Sequence, residues 1–203
     1  MKLTRLGKWV FASIIILIPV LLYLNSTENE RLKKVPMPTG LDKNVAEKAD
    51  LLVSEAARKG IRVVITDEFR SADAQDRLFA KGRTEPGDVV THARGGESYH
   101  NYGLAIDFAI ASRESGNLLW DMDYDGNGNS RSDWKEVVAI AKTLGFEWGG
   151  DWKQFKDYPH LQMTYGLTIN DLQTGLRPSI NGQPTQVSMR NKIYKFFRNI
   201  ASI

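Results

Sequence analysis

Residues 104–110 read LAIDFAI, an apolar run with one carboxylate, Asp107, at its centre. The run reads as a β-strand, and a strand this apolar has to be buried. A carboxylate buried without a partner is costly. Whatever fold the chain adopts must therefore bring a cation or a set of donors to Asp107. Just upstream lies SYHNYG, with His100 and a turn-forming Gly103. Fifty residues on comes DYPHLQM, with Asp157 and His160. The chain has only three histidines, so two of the three fall in these two stretches.

A catalytic zinc site needs three protein ligands and one open position. His100 and Asp107 cannot share a helix face across Gly103, but they can meet if His100 precedes a turn and Asp107 lies on the strand that follows. His160, brought in from a neighbouring strand, would be the third ligand. Pro159 keeps the DYPH segment extended or turned rather than helical. Asp157 can then point at the same place without binding the ion, where a general base belongs. The same residues also read as a salt-bridged strand aspartate and two structural histidines. Spacing alone leaves both readings open.

The rest of the chain divides by charge. Residues 1–24 hold three bases and no acid, and 9–24 (WVFASIIILIPVLLYL) carry no charge at all. This is the layout of a signal peptide or signal anchor. Its sixteen apolar residues would span about 24 Å as a helix. No A-x-A-like cleavage site follows, and the positive end favours an outward-facing remainder. Residues 25–40 carry two prolines in polar surroundings and read as a linker. Residues 25–176 hold nineteen bases and twenty-four acids, a net −5, whereas 177–203 hold five bases and no acid. The overall net charge of +3 thus reflects two basic ends around a mildly acidic domain, not a nucleic-acid-binding surface. With no cysteine, the chain forms neither disulfides nor a thiolate metal site.

Periodicity and caps predict helices over 44–60, with Asn44 as its cap, 71–82 and 132–145, and strands over 61–66 and 104–110. A hairpin partner is expected at 116–122 and the last strands in FEWGGDW and HLQM. These elements make an α+β domain: a small antiparallel sheet with helices packed on one side, over 41–165, behind an N-terminal signal or anchor helix. Residues 166–203 are left as a basic C-terminal extension.

The motifs carry a resemblance as well. SYHNYGLAIDFA resembles the S-x-H-x-x-G-x-A-x-D pattern of the VanX/VanY-like zinc D-Ala-D-Ala carboxypeptidase superfamily. DYPHLQM resembles its second motif. VVITDEFRSADAQDRLFAKGRT, the GGESYHNYG context, DMDYDGNGNSRSDW and GFEWGGDW are similar to the CwlK-type peptidoglycan L-alanyl-D-glutamate endopeptidases. The resemblance covers roughly residues 36–165. It implies a hedgehog/D-Ala-D-Ala peptidase-like fold and one Zn2+ per chain, on His100, Asp107 and His160. It implies Asp157 as catalytic acid/base, where VanX-like members hold Glu, and Arg70 as the cation facing the developing oxyanion. Gln75 and Ser98 match substrate-binding positions of the cleft. The implied substrate is peptidoglycan. Location would be the outer face of a bacterial membrane, held through residues 9–24 if they are not cleaved, or the cell wall. A D,D- or L,D-carboxypeptidase of the same superfamily and a non-catalytic wall-binding module are the rival readings.

Three features stand outside the motifs. DMDYDGNGNSRS (121–132) begins like a calcium loop but lacks the final Glu, and reads as a solvated acidic turn. His92 reads as loop or cleft lining, and Trp120, Trp134, Trp148 and Trp152 as an aromatic supply for core or cleft. MRNKIYKFFRNIASI (189–203) sets Ile193, Phe196, Phe197 and Ile200 at helical spacing among bases. It is a candidate for contact with an anionic membrane or wall polymer, or for docking on the domain.

Overall fold

A computed structural model describes residues 35–178, together with 18–20 and 22–23. The expected signal or anchor helix and the 189–203 stretch fall largely or wholly outside the described residues. Among the described residues no helix is long and apolar enough to cross a membrane.

Helix α1, Lys43–Arg58, buries Val45, Ala49, Leu52 and Ala56, the apolar stripe legible in its sequence. Its cap is Asp42 rather than Asn44: the Asp42 carboxylate accepts from the Asn44 and Val45 amides. Strand β1, Val63–Asp67, follows, then α2, Ala72–Ala80, capped by Ser71. After a long loop, a 3-10 turn at Tyr99–Tyr102 leads into β2, Ala105–Ala111. β3 is only Leu118–Leu119, shorter than expected, because the acidic turn starts at Asp121. Helix α3, Asp133–Thr143, precedes β4, Glu147–Trp148, and β5, His160–Gln162. A short helix α4, Ile169–Gln173, closes the described chain.

All strand pairs are antiparallel, in the order β1-β2-β5-β4, with β3 on β2 beyond the end of β5. β2 is therefore the middle of the sheet, and its two faces do different work. Ile106, Phe108 and Ile110 enter the core with α1 and α3, where the Phe108 ring lies 4.5 Å from that of Trp134. Asp107 points the other way. Burying a side chain such as Phe108 contributes about 1.5–3 kcal/mol, so this alternation fixes which face Asp107 must take.

The core does not stop at residue 165. Leu167, Leu172 and Leu176 are buried in the same cluster, and Gln173 and Arg177 bond back to Gly96 and Pro36. The expected boundary at 165 moves to about 177. The end of the linker and the start of the C-terminal extension thus lie side by side, with the Arg177 guanidinium 3.2 Å from the Pro36 carbonyl.

Candidate metal centre and peptidase cleft

The two motifs meet across the sheet. β2 and β5 pair with Asp107 directly opposite His160, so both side chains rise from one face. His100 arrives from the 3-10 turn. Ser98 caps that turn by accepting from the His100 amide, and Gly103 ends it at φ 67°. A Cβ at Gly103 would sit 2.3 Å from the Gly40 carbonyl oxygen, so only glycine lets the chain reverse here. That reversal is what carries the chain from His100 into the strand of Asp107.

Three atoms converge at the top of the sheet. His100 Nε2 lies 3.2 Å from His160 Nδ1, and each lies 3.3 Å from Asp107 Oδ1. The outer ring nitrogens are already committed. His100 Nδ1 lies 2.6 Å from the Glu68 carbonyl, and His160 Nε2 lies 2.9 Å from Gln162 Oε1. Both of those oxygens only accept, so both outer nitrogens carry the hydrogens. In neutral rings the inner nitrogens are then bare lone pairs, and three acceptors face one point. Such an arrangement repels itself unless a cation fills it. Corners of a tetrahedron with bonds of about 2.0 Å lie about 3.3 Å apart, so the spacing suits a zinc ion. Two imidazoles and one carboxylate are also a suitable donor set for zinc. Among the described residues this is the one group of three or more acidic or histidine side chains close enough to share an ion.

The electrostatics agree. Burial acts to raise the Asp107 pKa, but hydrogen bonds and charge from His100 and His160 outweigh it and hold the carboxyl far below the ordinary carboxylate range. Burial acts to lower the His160 pKa, yet the hydrogen bond and charge of Asp107 prevail and raise it. A proton and a metal ion therefore compete for the same place.

Around this point opens a cavity of about 970 Å³. Arg70, Ser98, Trp152, Phe155 and Asp157 are on its wall. Asp157 reaches the cavity because Gly149 lets its loop approach: a Cβ at Gly149 would fall 2.4 Å from the Asp157 carbonyl oxygen and 3.0 Å from its Cβ. Burial raises the Asp157 pKa, and the Asp107 charge adds to this against the opposing effects of His160, His100 and Arg70. Trp152 stands with its ring 5.2 Å from that of His160. His92 lies at the rim, edge-on to Phe155 at 6.0 Å.

Arg70 is clamped. Its guanidinium donates to Gln75 Oε1 at 2.8 Å and to the Asp67 carboxylate. Gln75 is 0% exposed and also donates to the Ala93 carbonyl at 2.9 Å. The expected place of Gln75 on the cleft wall is thus corrected: it lies behind Arg70, because a glutamine amide can accept from a guanidinium and donate to a loop carbonyl at once. Asp67 was not singled out from the sequence. A β-bulge between Ile65 and Asp67 shifts the register so that Asp67, not Thr66, stands opposite Asp107. Asp67, Asp107 and His160 consequently form a row across three strands.

The acidic turn gathers no such centre. Asp125 accepts from the amides of Gly128, Asn129 and Ser130, Asp121 from that of Asp123, and Asp123 pairs with Lys135 at 3.4 Å. Trp134 is core, while Trp120 is exposed away from the cavity wall.

Two histidines and a carboxylate at tetrahedral spacing, with Asp157 and a clamped Arg70 on the same cavity, form a group that could hold one metal ion. Comparison with known proteins agrees. A family described as D-alanyl-D-alanine carboxypeptidase matches residues 91–163. Over 132 residues the chain is 63% identical to the peptidoglycan L-alanyl-D-glutamate endopeptidase CwlK of Bacillus subtilis (strain 168), covering 65% of this chain and 78% of that one. It is 32% identical over 152 residues to the L-alanyl-D-glutamate peptidase of Listeria phage A118, covering 74% of this chain and 48% of that one. The crystal structure of the Serratia marcescens L-Ala D-Glu endopeptidase ChiX aligns at TM-score 0.44 and 19% identity, over 66% of this chain and 85% of that one. The chain belongs to the metallopeptidase family of which CwlK is a member.

Proposed function

We propose that the protein is a zinc-dependent endopeptidase that cuts the L-Ala–D-Glu bond of peptidoglycan stem peptides. The observation that carries the reading is the convergence of three acceptor atoms at 3.2–3.3 Å beside Asp157, in a chain 63% identical to CwlK. His100, Asp107 and His160 would hold the ion through Nε2, Oδ1 and Nδ1. When bound, zinc supplies Lewis-acid chemistry, making a water acidic and polarising a carbonyl.

The chain's own residues do the rest. Asp157, its pKa raised by burial, is a stronger base than an ordinary aspartate. It takes one proton from the attacking water. The water oxygen bonds to the carbonyl carbon, and the carbonyl π electrons move onto its oxygen. Arg70, held rigid by Asp67 and Gln75, faces the cavity as a permanent cation and stabilises that oxygen. The C–N bond then breaks, and Asp157 returns its proton to the departing amine. Ser98 serves by holding the turn of His100 at the cavity edge. Trp152 and Phe155 offer apolar surface to the substrate.

An outward-facing placement on the bacterial membrane or in the wall fits this substrate and the charge layout of residues 1–24. The basic stretch 189–203 would lie against an anionic surface nearby, since the extension starts beside the linker.

The test is to incubate the full chain, purified in mild detergent with zinc, with purified muropeptides and to identify products by mass spectrometry. Peptides beginning at D-Glu, with L-Ala retained on the muramic acid, are expected, released about 10²–10⁴-fold more slowly with Asp157→Ala. Release of terminal D-Ala alone would make the protein a carboxypeptidase. No cleavage by the zinc-loaded protein would leave a wall-binding module.

A further inference from the structure

His100 and His160 present different nitrogens to the centre, Nε2 and Nδ1. For His100 a main-chain carbonyl settles the matter, since the Glu68 oxygen can only accept. For His160 the partner is the side chain of Gln162, and an amide can present either its oxygen or its nitrogen. By itself Gln162 would leave the tautomer of His160 undecided. A turned amide would offer N–H to Nε2, move the ring hydrogen to Nδ1, and place a donor where the ion belongs.

Glu147 removes the ambiguity. Its Oε2 lies 3.1 Å from Gln162 Nε2, and its Oε1 accepts from the Thr164 hydroxyl at 2.5 Å. A carboxylate only accepts, so Gln162 must give it the NH2 and keep Oε1 for His160. β4 and β5 pair with Glu147 opposite Gln162, which fixes the reach. Gln162 is buried, whereas Glu147 is exposed.

We infer that Glu147 is a positioning residue of the metal centre, setting the His160 tautomer through Gln162 from the neighbouring edge strand β4. This inference rests on the metallopeptidase reading. It adds a carboxylate–amide–histidine relay to a site whose other histidine, His100, is oriented by a main-chain carbonyl. Partners of metal-bound histidines typically matter by 10–100-fold in metal affinity.

The test uses the full chain in detergent and zinc itself, titrated against a chromophoric chelator. Cobalt(II) loading gives a ligand-field spectrum, and melting of the metal-free protein reports folding. Gln162→Leu is expected to weaken zinc binding about 10–100-fold, and Glu147→Leu about tenfold, each with a shifted cobalt band. Glu147→Leu replaces an exposed side chain, so the metal-free protein should melt as the parent does. The reciprocal pair Glu147→Gln with Gln162→Glu retains an acceptor for His160 and a donor between the two side chains. It should bind zinc more tightly than Gln162→Leu and regain the parent band. Zinc affinity of Glu147→Leu or Gln162→Leu within about threefold of the parent, or a reciprocal pair no better than Gln162→Leu, would overturn the assignment. Failure of the parent itself to bind zinc would instead remove the metallopeptidase reading.

Discussion

Two stretches of the protein carry carboxylates in a metal-like pattern, SYHNYGLAID with DYPH, and DMDYDGNGNSRS, which starts like a calcium loop but lacks its final Glu. In three dimensions they are opposites. In the turn, the carboxylates are occupied: Asp125 accepts three backbone amides, and Asp121 and Asp123 have a local amide and a lysine. At the sheet face, every donor is turned outward, and three acceptors are left facing one another at 3.2–3.3 Å. The lesson is that the number of carboxylates does not make a cation site. What makes one is a set of acceptors that the fold brings together and leaves without donors.

The contrast can be broken most severely at His160. His160→Ala removes one of the three acceptors and should abolish both zinc binding and peptide cleavage, checked by metal analysis and the muropeptide assay. Asp157→Ala should slow turnover by about 10²–10⁴-fold while zinc stays bound at full stoichiometry, because Asp157 is not one of the converging acceptors. Arg70→Ala should lower kcat by about 10²–10³-fold, with zinc affinity again unchanged. In the turn, Asp125→Ala should cost only about 1 kcal/mol of stability and leave zinc binding and turnover as they were, measured by denaturant unfolding and the same assays.

The pH dependence sharpens the same picture. Asp157 acts as its anion, and burial raises its pKa. In the metal-free protein its carboxyl should therefore titrate above the ordinary aspartate value of about 3.9, read by side-chain NMR. Zinc affinity should fall as pH drops through the raised pKa of His160, where a proton takes the ion's place. A pH titration with a chelator reads this directly.

Much of this was legible in the sequence. The stripe of α1 and the strand of Asp107 show in periodicity, whereas the convergence of His100, Asp107 and His160 is one of two readings that spacing leaves open, and the resemblance to the VanX/VanY-like zinc peptidases is what selects it. Other parts were not legible, for reasons that can be named. Asp67 reaches the site through a bulge, and a one-residue register shift leaves no mark in composition. Gln75 matched a cleft position, but its burial behind Arg70 depends on how α2 packs against the 91–93 loop. Gln162 and Glu147 read as ordinary strand residues until β4 and β5 pair. The last buttress of the core, Leu167 to Leu176, is carried by a helix of five residues, too short for a periodic signal.

The central claim is tested most directly by crystals of the zinc-loaded protein measured at the zinc absorption edge. The account predicts one anomalous peak per chain, about 2.0–2.1 Å from His100 Nε2, Asp107 Oδ1 and His160 Nδ1, and none at residues 121–132. A peak in the acidic turn, or a His160 ring that binds through Nε2, would contradict it.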